Sequence, residues 1–131
     1  MSSPVLNKLK TEFSATASRL NSLAKQLATK GPHKIEASPR RIRILFNKKY
    51  IVDTTSSKLV WEHPYFPTYY VPSTDVQTKY IEKVEKTEDG NAQICRLVVG
   101  ERGAGNVLWF EQGVLDGLLR FEFKEMGISS L

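Results

Sequence analysis

The sequence predicts a mainly β fold, seven or eight short strands in two packed antiparallel sheets or an open barrel, preceded by one long N-terminal amphipathic helix. Short stretches of alternating apolar and polar residues recur from Arg40 to Phe123, the period of two expected of half-buried strands. Between them stand residues that tolerate positive φ or cannot donate to a ladder, among them Asn47, Gly90, Pro64 and Pro67. Before Gly31 the period changes. Leu6, Phe13, Leu20 and Leu27 recur every seven residues, with Leu9, Thr16 and Leu23 at the second heptad position, which is helical spacing. Residues 1–30 are therefore expected as a helical extension and residues 31–131 as a single β domain, since a chain of 131 residues is one domain's worth and buries one modest core.

The helix is expected over residues 4–30. Pro4 suits a first helical turn, Ser3 an N-cap, and Gly31-Pro32 a stop. At 1.5 Å per residue it would be about 40 Å long. Three uses of its apolar stripe stay open: packing on its own domain, pairing with a second copy as a homodimer in which polar Thr16 is the weak point of the seam, or no packing at all, because residues 1–30 are basic, rich in Ser and Thr and poor in acids, as a mitochondrial presequence is.

The strands follow in order. Ile42, Ile44 and Phe46 share one face and Arg41 and Arg43 the other. Asn47-Lys48-Lys49 makes a hairpin turn into Tyr50–Asp53, and a second turn leads to Leu59–Glu62. After the proline loop, Tyr69–Pro72 closes this unit. The charged run Lys79–Lys86 suits an edge strand, and the near-continuous apolar run Ile94–Val99 a central one. Gly100–Asn106 is glycine-rich, but phosphate-cradling loops lead into a helix, whereas Val107–Phe110 reads as a strand, so a hairpin connection is expected. Leu118–Phe123 alternates again, and Lys124–Leu131 is left as a tail or a turn of helix.

The order Gly31-Pro32-His33-Lys34-Ile35, Pro39-Arg40-Arg41-Ile42-Arg43-Ile44, Tyr50-Ile51-Val52-Asp53-Thr54, Leu59-Val60-Trp61-Glu62 and Tyr69-Tyr70-Val71-Pro72-Ser73-Thr74-Asp75-Val76 resembles the family called domain of unknown function 427, and Gly117–Phe123 resembles its closing Gly-x-x-x-Phe strand. The resemblance implies a compact, tent-like β fold of two antiparallel sheets with a pocket between or beside them. The family's nucleotidyltransferase label comes with no mechanism that these residues carry. Members usually have a Cys-Pro-Tyr-Lys-Gly segment; here Gly90-Asn91-Ala92-Gln93-Ile94-Cys95-Arg96 occupies that region, and any role of the family's lysine does not transfer.

Composition narrows the function classes. With 40% apolar and 25% charged residues the chain is of soluble globular type, and no apolar run approaches the length of a membrane span. Cys95 is the lone cysteine and His33 and His63 the only histidines, too few for a structural zinc site, so no metal and no cofactor is expected. The lone cysteine suits a reducing compartment: the cytoplasm, or the mitochondrion if residues 1–30 act as a presequence. The net charge of +5 is uneven. Residues 1–30 set five basic side chains against Glu12, residues 31–49 set six against Glu36, and the rest of the chain is acidic on balance. A basic leading edge on an acidic body, without a recognition helix or stacking module, argues against nucleic acid as the partner and leaves a small-molecule ligand.

The expected function is small-molecule binding in a pocket lined by Arg41, Arg43, Trp61, Tyr69, Tyr70, Trp109 and Phe121, where aromatic rings supply walls and arginine–carboxylate pairing supplies orientation. Adjacent Tyr69 and Tyr70 face opposite sides of a strand, so only one of them enters it. Arg43 and Glu62 are expected to pair across neighbouring strands. The alternative is a small cofactor-independent enzyme, an isomerase, cyclase or hydrolase, with Glu62 or His63 as acid/base.

Overall fold

The computed structural model of the chain describes residues 18–122 and 127–130. The expected helix positions Leu6, Leu9, Phe13 and Thr16 lie outside them. Residues 18–30 are helical (α1), and ten strands follow: β1 (Ile35–Ala37), β2 (Ile42–Phe46), β3 (Lys49–Thr54), β4 (Lys58–Val60), β5 (Thr68–Pro72), β6 (Ile81–Lys86), β7 (Ala92–Val99), β8 (Arg102–Phe110), β9 (Leu118–Phe121) and β10 (Gly127–Ser130). They form a seven-stranded sheet in the order β1-β4-β5-β9-β8-β7-β6 and a three-stranded sheet in the order β10-β2-β3, and the neighbours in both are antiparallel. The fold is thus mainly β, with two sheets rather than a closed barrel. No helix among the described residues is long and apolar enough to cross a membrane.

Two cores result because the large sheet is apolar on both faces. One face packs on the small sheet: Ile42, Ile44, Phe46, Ile51 and Val52 meet Val71, Cys95, Leu97, Val99, Val107, Leu119 and Phe121. The other face packs on α1, where Leu20, Ala24 and Leu27 meet Val60, Tyr70, Ala92, Ile94, Leu108 and Phe110. The spacing of Leu20, Ala24 and Leu27 places them on one helical face, and within the described residues that face is taken by the chain's own sheet. In β7, Ala92 and Ile94 face the helix while Cys95, Leu97 and Val99 face the small sheet, so the covered part of the strand carries apolar residues at both parities, and Arg96 beyond it is exposed.

The β2–β3 hairpin has the two-residue turn Asn47-Lys48, both at positive φ (47° and 64°), the pattern whose twist matches the flanking strands. Asn47 Nδ2 donates to Val99 O at 3.0 Å and pins that turn to the end of β7. At the other side of the small sheet, Val52 bridges Val76 and Gln77 N donates to Ile51 O at 2.8 Å.

Four expectations change. Residues 40–75 do not form one sheet: β4 joins β1 and β5 in the large sheet, because the free edge of β3 is already engaged by Val76 and Gln77. The connection expected over Gly100–Asn106 shrinks to Gly100-Glu101, since Gly100 at φ +63 permits a tight turn and β8 pairs with β7 from Arg102 onward. The tail expected at Lys124–Leu131 contains β10, which pairs Gly127–Ser130 with Ile42–Leu45 and covers the other edge of β2. Seven or eight strands were expected, and the described residues hold ten.

Burying the helix face on the sheet has a measurable consequence. Leu20→Ala or Leu27→Ala should lower the unfolding free energy in urea by about 2–4 kcal/mol through the cavity left behind, while Gln26→Ala, at an exposed position of α1, should change it by less than about 0.5 kcal/mol.

Candidate functional site

The expected site residues fall into three places. The first is a polar network under α1. β9 turns Leu119 and Phe121 to the inner core, so Arg120 points to the helix-covered side, where it meets Glu62 from the bend after β4. Arg120 Nε donates to Glu62 Oε2 at 2.5 Å and Nη2 to Glu62 Oε1 at 3.1 Å, the two-pronged geometry of a strong guanidinium–carboxylate pair. The buried Tyr70 hydroxyl donates to Glu62 Oε2 at 2.5 Å, and Thr68 Oγ1 to Oε1 at 3.4 Å. Arg120 Nη1 also donates to Glu122 Oε1, as does Arg19 Nη1 of α1, at 2.5 and 2.8 Å. The Glu62 and Arg120 side chains are only 12% and 13% exposed.

The charges follow from this packing. Burial pushes the Tyr70 phenol up, and the neighbouring Glu62 charge pushes it further, so it stays a proton donor. Burial opposes the charge on Arg120, but the Glu62 and Glu122 contacts more than offset this and raise it. Burial likewise opposes ionisation of Glu122, and the hydrogen bonds from Arg19 and Arg120 overcome it, lowering the carboxyl to about 2. Two arginines and two carboxylates thus close a neutral network that ties α1, β9, β5 and the bend after β4 together. Glu62 was expected to pair with Arg43; it pairs with Arg120, because β2 and β4 belong to different sheets.

Trp61 flanks this network. Its backbone exchanges hydrogen bonds with His33 and Lys34 at 2.9 Å, and Lys34 Nζ lies 5.1 Å from its ring centroid. His63 stands in the exposed loop that follows, its Nδ1 accepting the Tyr65 N–H at 3.1 Å.

The second place is the outer face of the small sheet. Arg41 forks onto both oxygens of Asp53 at 2.9 and 2.8 Å. These hydrogen bonds hold the Asp53 carboxyl below the usual carboxylate range. Arg43 is the cross-strand neighbour of Asp53, yet its Nε stands 3.7 Å from Oδ2, and its guanidinium carbon lies 5.4 Å from the Tyr50 ring centroid.

The third is the inner face of the large sheet, where Tyr69, Trp109 and Phe121 all join the inner core, with Tyr69 and Trp109 only half-buried. Phe121 is buried outright. Lys83 Nζ of β6 lies 4.7 Å from the Trp109 ring centroid and 3.7 Å from Glu111 Oε1. Buried nearby is Cys95, whose thiol burial pushes up to about 12, so it is a protonated core residue rather than a nucleophile.

A family model described as a domain of unknown function (DUF427) matches residues 34–115, well over half of the chain. The chain belongs to this family. No curated protein matches the chain closely enough to count as a relative. The match to DUF427 begins after α1 and ends before β9, so Glu62 and Tyr70 lie inside it and Arg19, Arg120 and Glu122 outside.

Sequence reasoning missed Arg120, Glu122, Lys83 and Glu111. Arg120 had a signal: a cation between Leu119 and Phe121 in a central strand requires a carboxylate partner. Glu62→Gln should destabilise the protein by about 3 kcal/mol or more in urea, because it strips charge from the partner of a buried guanidinium. The Glu122 carboxyl is lower when folded than its ordinary 4.5, so its contribution is complete above that value and is lost as the pH falls toward about 2. In Glu122→Gln, the fall of stability across that window should be shallower than in the wild type.

Proposed function

We propose that the protein is a small-molecule-binding β domain whose ligand lies against the Trp109 end of the inner face, with Trp109 as the apolar wall and Glu111 as the polar anchor. One observation carries this reading. Glu111 Oε1 is shielded from solvent and accepts no hydrogen bond, next to a half-buried indole. A carboxylate oxygen in that state is costly by about 1–3 kcal/mol or more, and a ligand N–H or O–H would relieve it. The Glu111 side chain as a whole is 33% exposed, so a modest rotation presents the oxygen to a ligand. Lys83, half exposed, pairs with Glu111 only at 3.7 Å and would move aside or pair with an acidic group on the ligand. The class favoured is an aromatic or apolar molecule bearing an amine, amide or hydroxyl donor.

Proton-transfer catalysis by Glu62 or His63 has less support. A carboxylate has about four lone-pair positions, and Glu62 accepts from Tyr70, Thr68 and twice from Arg120, which leaves it no free position for a substrate proton. The His63 Nδ1 lone pair is engaged by Tyr65, so the neutral ring carries its proton on Nε2 and would have to break that bond to act as a base.

Trp61 and Trp109 are the two tryptophans, and their indole N–H signals separate in a nitrogen–proton NMR spectrum. Titration with a panel of aromatic amines and amides should shift the Trp109 signal saturably and leave that of Trp61 in place. Glu111→Gln should then weaken the affinity by roughly 1.5–3 kcal/mol, the range of a hydrogen bond to a charged group. Saturable shifts at Trp61 alone, or affinity indifferent to Glu111→Gln, would overturn this reading.

A further inference from the structure

The outer face of the three-stranded sheet carries a cation whose hydrogen bonds are unfilled. Parity turns Arg41, Arg43 and Leu45 away from the inner core that holds Ile42, Ile44 and Phe46, and β3 places Asp53 opposite Arg43 and Tyr50 opposite Leu45. Asp53 gives both oxygens to Arg41. Arg43 is left 3.7 Å from Oδ2, beyond hydrogen-bonding distance, and among the described residues it donates no hydrogen bond, its Nε being both shielded from solvent and unsatisfied. It is held by the longer ion pair to Asp53 and by a cation–π contact with the Tyr50 ring. Arg40 before β2, Lys48 in the hairpin turn and Lys49 in β3 are exposed, and Leu45 and Tyr50 form an exposed apolar pair.

We infer that Arg43 anchors a second binding site, for a carboxylate or phosphate oxyanion carried on an apolar or aromatic small molecule. A guanidinium is a planar fork that matches such an oxyanion with two parallel hydrogen bonds. The side chain is 29% exposed and Nε alone of its nitrogens is shielded, so an anion reaches the Nη end without backbone movement, the surplus of basic residues draws the anion in, and the ligand's body lies on Leu45 and Tyr50. Arg41 acts indirectly: by taking the hydrogen bonds of both Asp53 oxygens it leaves Arg43 only a longer ion pair with that carboxylate. The site lies on a different sheet from Trp109 and does not rest on the reading given for that face.

The test is a titration of isotope-labelled protein with phenyl phosphate, benzoate, inorganic phosphate and, as the neutral control, phenol. The two aromatic anions should shift the Arg43 Nε–Hε and Tyr50 ring signals saturably, inorganic phosphate should bind more weakly, and phenol should do nothing. Arg43→Lys keeps the charge and loses the fork, so binding should weaken by about tenfold or more, whereas Lys48→Gln should change it by less than about threefold. Wild-type thermal melts for both variants would show that the fold is kept. Unchanged affinity in Arg43→Lys, or shifts that rise without saturation and vanish with added salt, would mark a diffuse charge effect and overturn the site. Equal affinity for inorganic phosphate and phenyl phosphate would overturn the role of Leu45 and Tyr50.

Discussion

A sheet with two apolar faces has to be covered twice, and most of this structure follows from that requirement. The seven-stranded sheet sets Leu97, Val99 and Val107 toward the small sheet and Ile94, Leu108 and Phe110 toward α1. Neither cover is optional: fully burying one large aliphatic or aromatic side chain is worth about 1.5–3 kcal/mol, and each face presents several. Residues 18–30 are therefore a layer of the fold rather than an appendage to it. The small sheet is correspondingly tied down at both ends, by Asn47 on Val99 and by Val76 and Gln77 on β3.

Where the helical cover meets the sheet margin, polar groups are caught in partial burial, and the Glu62–Arg120–Glu122–Arg19 network resolves them. Arg120 could not stand there alone, because an unpartnered buried guanidinium costs several kcal/mol. With Glu62, Glu122 and the Tyr70 hydroxyl around it, the network becomes a fixed joint among elements distant in sequence. Its saturation is also what makes it unpromising as a reaction centre. The charged atoms shielded without a hydrogen bond, Glu111 Oε1 on the inner face and Arg43 Nε on the outer one, lie elsewhere, each with only a 3.7 Å ion pair, and that is where ligand chemistry is most readily placed.

Local features were legible in the sequence because local physics sets them. The alternation of Ile42, Ile44 and Phe46, the hairpin turn opening at Asn47, the charged edge strand expected over Lys79–Lys86 and found at Ile81–Lys86, and the central strand at Ile94–Val99 all follow from side-chain parity and turn chemistry. So does the division of Tyr69 to the inner core and Tyr70 to the helix side. The misplaced parts depend on which strand ends up beside which. Consecutive strands β3 and β4 were expected to neighbour one another, yet β4 changes sheets, and that single switch separates Arg43 from Glu62. The true partner of Glu62 lies 58 residues away in sequence, and no local pattern announces it. β10 was invisible for a similar reason: Gly127-Ile128-Ser129-Ser130 has too little alternation to declare a strand, and becomes one by filling the open edge of β2.

If both faces of the large sheet must be covered, α1 should not open independently of the sheet, and hydrogen exchange of the backbone amides measures this directly. In the full-length protein the amides of residues 23–30 should exchange with the same free energy of opening as those in the centres of β7 and β8, rising and falling with them as denaturant is added. Exchange of the helix amides at near-unprotected rates while β7 and β8 remain fully protected would show that the helix is a dispensable attachment, and would contradict the account.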